Sequence, residues 1–276
     1  MSAYLNVNQA IIKAKLHAKR GEIAEIDELY QLVLKTFPKN KIALQKLSNL
    51  EKISELNNKK TIPLHLLNEL ISLYNRHKFS DVVEKAKYLL KKYPNAFLIW
   101  DLLGVSLAQL GMLNDSVVAL KKVLSLNPNY AETYCNLANI LKNQGKVDKA
   151  IEYYKKSISL NSNLATPYCN MGVIFHEQKK FREAEKLYLK AISIQPKYAD
   201  AYTNLGNVYN DNGKLEEAIE AYNKSILYNP NDADTYNNLG NVFKHQGKLD
   251  AAIDLYKKSI IINPKFVEGY NNMGVA

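Results

Sequence analysis

The sequence predicts an all-α solenoid, a superhelical stack of antiparallel helix pairs, and three observations carry that prediction. An aromatic recurs every 34 residues, at Tyr134, Tyr168, Tyr202, Tyr236 and Tyr270. A small residue follows four places later, at Ala138, Gly172, Gly206, Gly240 and Gly274. A proline closes most units, at Pro128, Pro196, Pro230 and Pro264, with Ser162 in its place once. Landmarks held in one register over so many cycles mark a repeat architecture rather than a single globular core.

The unit Ala199 to Asp232, numbered 1 to 34, shows what each repeat must be. Tyr202, Leu205, Gly206 and Tyr209 fall at positions 4, 7, 8 and 11, the spacing of one helical stripe. Asp211, Asn212 and Gly213 signal a turn, and a second stripe follows at Leu215, Ala218, Ile219 and Tyr222, ended by Asn229 and Pro230. Small residues at positions 8 and 20 let two antiparallel backbones approach, and the aromatics at 4, 11 and 24 fill the space around them. A hairpin of this length cannot enclose its own apolar stripe, so neighbours must stack and share a core.

These residues resemble the tetratricopeptide repeat. Trp100, Leu103, Gly104 and Pro128 match its signature in one unit, and Tyr236, Leu239, Gly240, Phe243, Ala252, Tyr256 and Pro264 match it in another. The resemblance is strong over residues 97–276 and weak before them. It implies a right-handed superhelix whose first helices line a concave groove, usually used to bind other proteins.

Taken in order, residues 1–62 read as a degenerate N-terminal repeat plus an inserted helix, because Gly21, Tyr30 and Pro38 keep repeat positions while the register breaks before Pro63. Residues 63–96 read as a degenerate repeat that keeps Leu66, Leu67, Leu70, Leu73, Tyr74 and Pro94. Five regular units follow over 97–266 (97–130, 131–164, 165–198, 199–232 and 233–266), and 267–276 reads as the first helix of an incomplete unit.

Composition narrows the function classes. The chain has 276 residues and is 47% apolar, the balance of a soluble protein. No secretory signal is readable and no apolar run approaches the roughly 20 residues of a membrane span, so the expected location is the cytoplasm, without membrane partners. Of the net charge of +10, residues 1–95 hold +8 (17 Lys and Arg against 9 Asp and Glu) and the remainder +2. The basic excess reads as a solvated surface. Nucleic-acid binding needs a basic groove for phosphate, and the groove positions below carry amides and carboxylates, so no nucleic acid is expected. Cys135 and Cys169 occupy one position of adjacent repeats; helices pack about 8–10 Å apart and a disulfide needs Cα atoms within about 7 Å, so free thiols are expected.

Helical geometry assigns the free face of the first helices. At about 100° per residue, positions 4, 7, 8 and 11 cluster on one side and positions 2, 6, 9 and 13 point away. Position 6 is Asn136, Asn170, Asn204, Asn238 and Asn272, an unbroken column; position 9 adds Asn139, Asn207 and Asn241 with Val173 interposed; position 2 adds Asp200 and Asp234. Asparagine carries a donor and an acceptor side by side and can pair with an extended backbone without reading side chains. These ten residues are the candidate peptide-binding site. Similar columns are a feature of the superhelix of O-linked N-acetylglucosamine transferases, where they hold substrate polypeptide.

Nothing in the chain offers chemistry of its own. The five histidines are scattered without metal-ligand spacing, and no phosphate loop, nucleophile elbow or zinc motif occurs. The reading is therefore a non-enzyme without cofactor or metal, an interaction scaffold binding an extended polypeptide in its groove. The last unit stops at position 10 without a polar capping helix, which suggests a fragment or an open end able to pair with another copy. The alternative reading is the substrate-recognition arm of a larger enzyme, such as a glycosyltransferase, sulfotransferase or oxygenase, whose catalytic domain lies beyond this chain.

Overall fold

The computed structural model describes residues 62–275, so the worn repeat and inserted helix expected ahead of them lie outside the described residues. The described residues form helices and turns without strands. The chain divides into two compact units, Met1–Ile99 and Trp100–Ala276. In the first, α1 (Leu64–Asn75) and α2 (Phe79–Lys92) pack as a pair around Leu70, Val82, Ala86 and Leu89. Helix α3 (Phe97–Gln109) spans the boundary between the units.

The second unit continues with α4 (Leu113–Leu126), α5 (Ala131–Asn143), α6 (Val147–Leu160), α7 (Ala165–Glu177), α8 (Phe181–Ile194), α9 (Ala199–Asp211), α10 (Leu215–Tyr228), α11 (Ala233–His245), α12 (Leu249–Ile262) and α13 (Val267–Val275). Helices pair as α5 with α6, α7 with α8, α9 with α10 and α11 with α12, and each second helix then packs on the first helix of the next pair. First helices also touch their successors, α5 with α7, α7 with α9 and α9 with α11. Second helices do not approach one another in this way, so the stack is tighter along the first helices, and these form its inner wall. This is the solenoid of antiparallel helix pairs that the repeat predicts.

Side-chain size explains the close pairing. Ala150, Ala184, Ala218 and Ala252 are fully buried at position 20, and Tyr154, Tyr188, Tyr222 and Tyr256 are buried to within 1% at position 24. Each tyrosine ring lies over position 8 of its partner helix. A β-carbon placed on Gly172, Gly206 or Gly240 would meet that ring at 2.6–2.7 Å. Where the partner is leucine the fit is equally tight, 2.7 Å between Gly104 and Leu120.

The turns follow from local chemistry. Second helices end at Asn127, Asn229 and Asn263, whose N–H groups still bond back to Val123, Ser225 and Ser259 at 2.7–2.9 Å. A proline follows each, and the residue before proline is driven out of helical geometry; Asn127 sits at φ −137° and ψ 87°. Between first and second helix the chain needs a left-handed residue. Gly111, Gly145, Gly213 and Gly247 supply it at φ 72–75°, but His77 and Lys179 occupy the same place at φ 57° and 59°. A non-glycine residue there costs roughly 1–2 kcal/mol. Lys179→Gly should therefore raise unfolding stability by about 1 kcal/mol, read by urea denaturation; unchanged or lowered stability would show that the Lys179 side chain compensates.

Candidate functional site

All eight predicted asparagines lie half-buried on the first helices, and Asp200 and Asp234 stand exposed at the second residues of α9 and α11. The asparagines do not face solvent as independent groups. Position-9 carbonyl oxygens accept the buried tyrosine hydroxyl of the same repeat: Tyr154 to Asn139 at 2.5 Å, Tyr222 to Asn207 at 2.7 Å and Tyr256 to Asn241 at 2.9 Å. Two of these oxygens also accept an N–H from position 6 of the next repeat, Asn170 to Asn139 at 2.7 Å and Asn238 to Asn207 at 3.1 Å.

Position 6 therefore reaches one repeat backwards at Asn170, Asn204, Asn238 and Asn272. Asn272 donates to Asn237 Oδ1 at 2.9 Å, and Asn204 donates to Cys169 Sγ at 3.7 Å. Asn136 lies near the carboxylate of Asp101, which accepts from Thr133 at 3.0 Å. The acceptor alternates between positions 5 and 9 along the stack, and the amides stitch neighbouring first helices together. Helical-wheel reasoning missed this tie because the tyrosine sits on the other helix of the hairpin. A signal was present in the sequence: tyrosine at 154, 222 and 256 accompanies asparagine 15 residues earlier, whereas Leu120 accompanies Val105. The exception is Tyr188, which stands with Val173, and its hydroxyl is buried without a hydrogen-bond partner.

What the network leaves open is defined by what it uses. Asn139, Asn207 and Asn241 spend their carbonyl oxygens and keep their N–H groups unengaged. Asn170, Asn204 and Asn238 spend one N–H each and keep their carbonyl oxygens unengaged. Further along the same wall, Lys142 pairs with Glu177 at 3.1 Å and His176 with Asp211 at 2.8 Å, each bridging two repeats.

Burial sets the charge states. It pushes the Asp101 carboxyl up to about 6, Glu132 adds repulsion, and the polar groups of Thr133 and Asn136 oppose the rise. The acid is protonated in the folded chain at a pH where the unfolded chain has already ionised, so its contribution is full below about pH 4 and is lost as pH rises through 6. Asp101→Asn should then raise the thermal midpoint at pH 8 by an amount corresponding to at most about 3 kcal/mol, and the gain should vanish at pH 4. An equal gain at both pH values would contradict the assignment. Burial first, then the charges of Asp232 and Glu268, also raises Asp234.

Cys135 and Cys169 are free and buried, and burial pushes their thiols up to about 12 and 11, so neither is a ready nucleophile. Among the described residues no group of His, Cys, Asp and Glu could hold a metal, and no helix is long and apolar enough to cross a membrane.

The fold and wall define a stacked helical-hairpin protein of scaffold type. Family models described as TPR repeat or tetratricopeptide repeat match residues 104–145, 206–247, 129–197, 233–266 and 187–220, which together tile 104–266 without a gap. The chain belongs to the tetratricopeptide repeat family. No curated protein sequence matches it. Among solved structures, a chain of the APC/C hetero-tetramer Cut9–Hcn1 is similar with TM-score 0.72 and 18% identity, over 99% of this chain and 56% of that one. The present chain thus spans little more than half the length of that relative. MamA is similar with TM-score 0.50 and 31% identity, over 59% of this chain and 95% of that one. YrrB, described as a TPR protein with an unusual peptide-binding site, gives TM-score 0.50 and 16% identity, over 68% and 97%.

Proposed function

We propose that the wall of first helices binds an extended polypeptide by its main chain, and that the protein serves as an interaction scaffold. The amide network is the observation that supports this reading most. It fixes each asparagine by one end and leaves the other end unengaged, so the N–H groups of Asn139, Asn207 and Asn241 are placed to meet ligand carbonyls. The carbonyls of Asn170, Asn204 and Asn238 are placed to meet ligand N–H groups. First helices spaced about 10 Å apart would engage about every third residue of a strand rising about 3.3 Å per residue. Side chains already locked by internal bonds lose little entropy on binding. Family membership supports the class of partner. Nothing in the described residues favours an arm attached to an enzyme over this reading.

The test replaces Asn136, Asn170, Asn204 and Asn238 together with alanine. The tyrosine bonds to position 9 survive this change, so the hairpins keep their internal tie. Capture on an array of immobilised random 12-residue peptides should fall to background; capture equal to that of the parent chain would retire the ladder.

A further inference from the structure

We infer that the polypeptide held on this wall is basic, with a lysine or arginine side chain entering a cleft between α7, α9 and α11. The inference rests on the peptide-binding reading and adds the ligand's chemistry. The cleft has a volume of about 300 Å³ and is lined by His176, Asn210 and Asp211 together with the rungs Asn207, Asn238 and Asn241. A lysine or arginine head fits that space.

Two of its acceptors lack a donor from the chain. The side-chain oxygen of Asn210 is buried and has no hydrogen-bond partner. Two earlier rungs of the same kind are filled, by Lys142 with Glu177 and by His176 with Asp211, each linking position 12 of one repeat to position 13 of the next. The third would link Asn210 to His245, and that bond is not made. Asp211 is half exposed and gives only Oδ2 to His176, so its second oxygen has no partner. An incoming guanidinium or ammonium brings N–H donors and positive charge to Asp211, the exposed acceptor of the cleft, while the Asn210 oxygen is covered and is not itself the contact.

The surrounding wall has the matching sign. From α5 to α13 the first helices carry Glu132, Glu177, Asp200, Asp211, Asp234 and Glu268 against Lys142 and Lys244, and Lys142 is already paired with Glu177. A wall of this sign attracts basic chains and repels acidic ones. The net charge of the whole chain, +10, conceals it.

The experiment uses the full chain on arrays of random 12-residue peptides whose central residue is fixed as Arg, Lys, Gln or Glu. Arg and Lys pools should be captured at least fivefold more strongly than the Gln pool, and the Glu pool least. Asp211→Asn should bring the Arg-to-Gln ratio close to one. Glu183→Gln, an equal change of charge at the exposed start of α8, should leave that ratio where it was. Equal capture of the Arg, Gln and Glu pools, or a ratio unmoved by Asp211→Asn, overturns the inference while the main-chain reading stands. Capture of no pool at all defeats both.

Discussion

Gly206→Val is expected to destabilise the second unit by about 3 kcal/mol and lower its Tm by roughly 10 °C, whereas Gly206→Ala changes little. A β-carbon at 206 would lie 2.6 Å from Tyr222 Cε1 and 2.7 Å from Cδ1. The ring cannot swing aside freely, because its hydroxyl is bonded to Asn207. One methyl is nonetheless accommodated elsewhere in the stack, where Ala138 stands opposite the equally buried Tyr154. Alanine at 206 also gains up to about 1 kcal/mol of helix propensity, which offsets a small displacement of the ring. Valine adds two more carbons with a restricted rotamer and exceeds that allowance. Thermal unfolding of both variants tests the size relation, and a Val variant as stable as the Ala variant would show that the hairpin spacing is not set by this contact.

Asn207→Val should cost about 2–3 kcal/mol, because it strips the acceptor from Tyr222 and from the Asn238 amide at once, and an unmatched buried polar group costs about 1–3 kcal/mol. The chain contains the result of such a change in an intact repeat. With Val173 at position 9, the Tyr188 hydroxyl has no partner, and the Asn204 amide bonds Cys169 Sγ at position 5 at 3.7 Å. The reverse substitution, Val173→Asn, should therefore stabilise by about 1 kcal/mol. A Tyr222→Phe background should shrink the cost of Asn207→Val, since one of the two stranded partners is then absent. Additive effects of those two substitutions would deny the coupling.

The repeat, the helix pairs and the buried tyrosine column were legible because each depends on residues within one helix or on a strict period. Gly206 and Ala218 announce a close approach whatever their surroundings. The candidate site was legible only in part. The wheel correctly gathers Asn170, Asn204 and Asn238 on one wall, yet it treats Asn139 and Asn207 as free of packing, when each is pinned by a tyrosine from the second helix. His176 gave no signal as a scattered histidine, because its partner Asp211 lies 35 residues away on the next first helix. Contacts between helices become visible in a repeat sequence only when two positions vary together, as 9 and 24 do at Val105 and Leu120. Tyr188 with Val173 breaks that rule, and the broken hydrogen bond is its physical trace.

Side-chain amide resonances offer the most direct measurement of the central claim. With ¹⁵N-labelled chain and the best-captured peptide from the array, the side-chain NH₂ signals of Asn139, Asn207 and Asn241 should move on titration, and that of Asn223, exposed on α10, should not. Movement of Asn223 and its neighbours, with the three rung signals unchanged, would place the ligand off the inner wall and contradict the account.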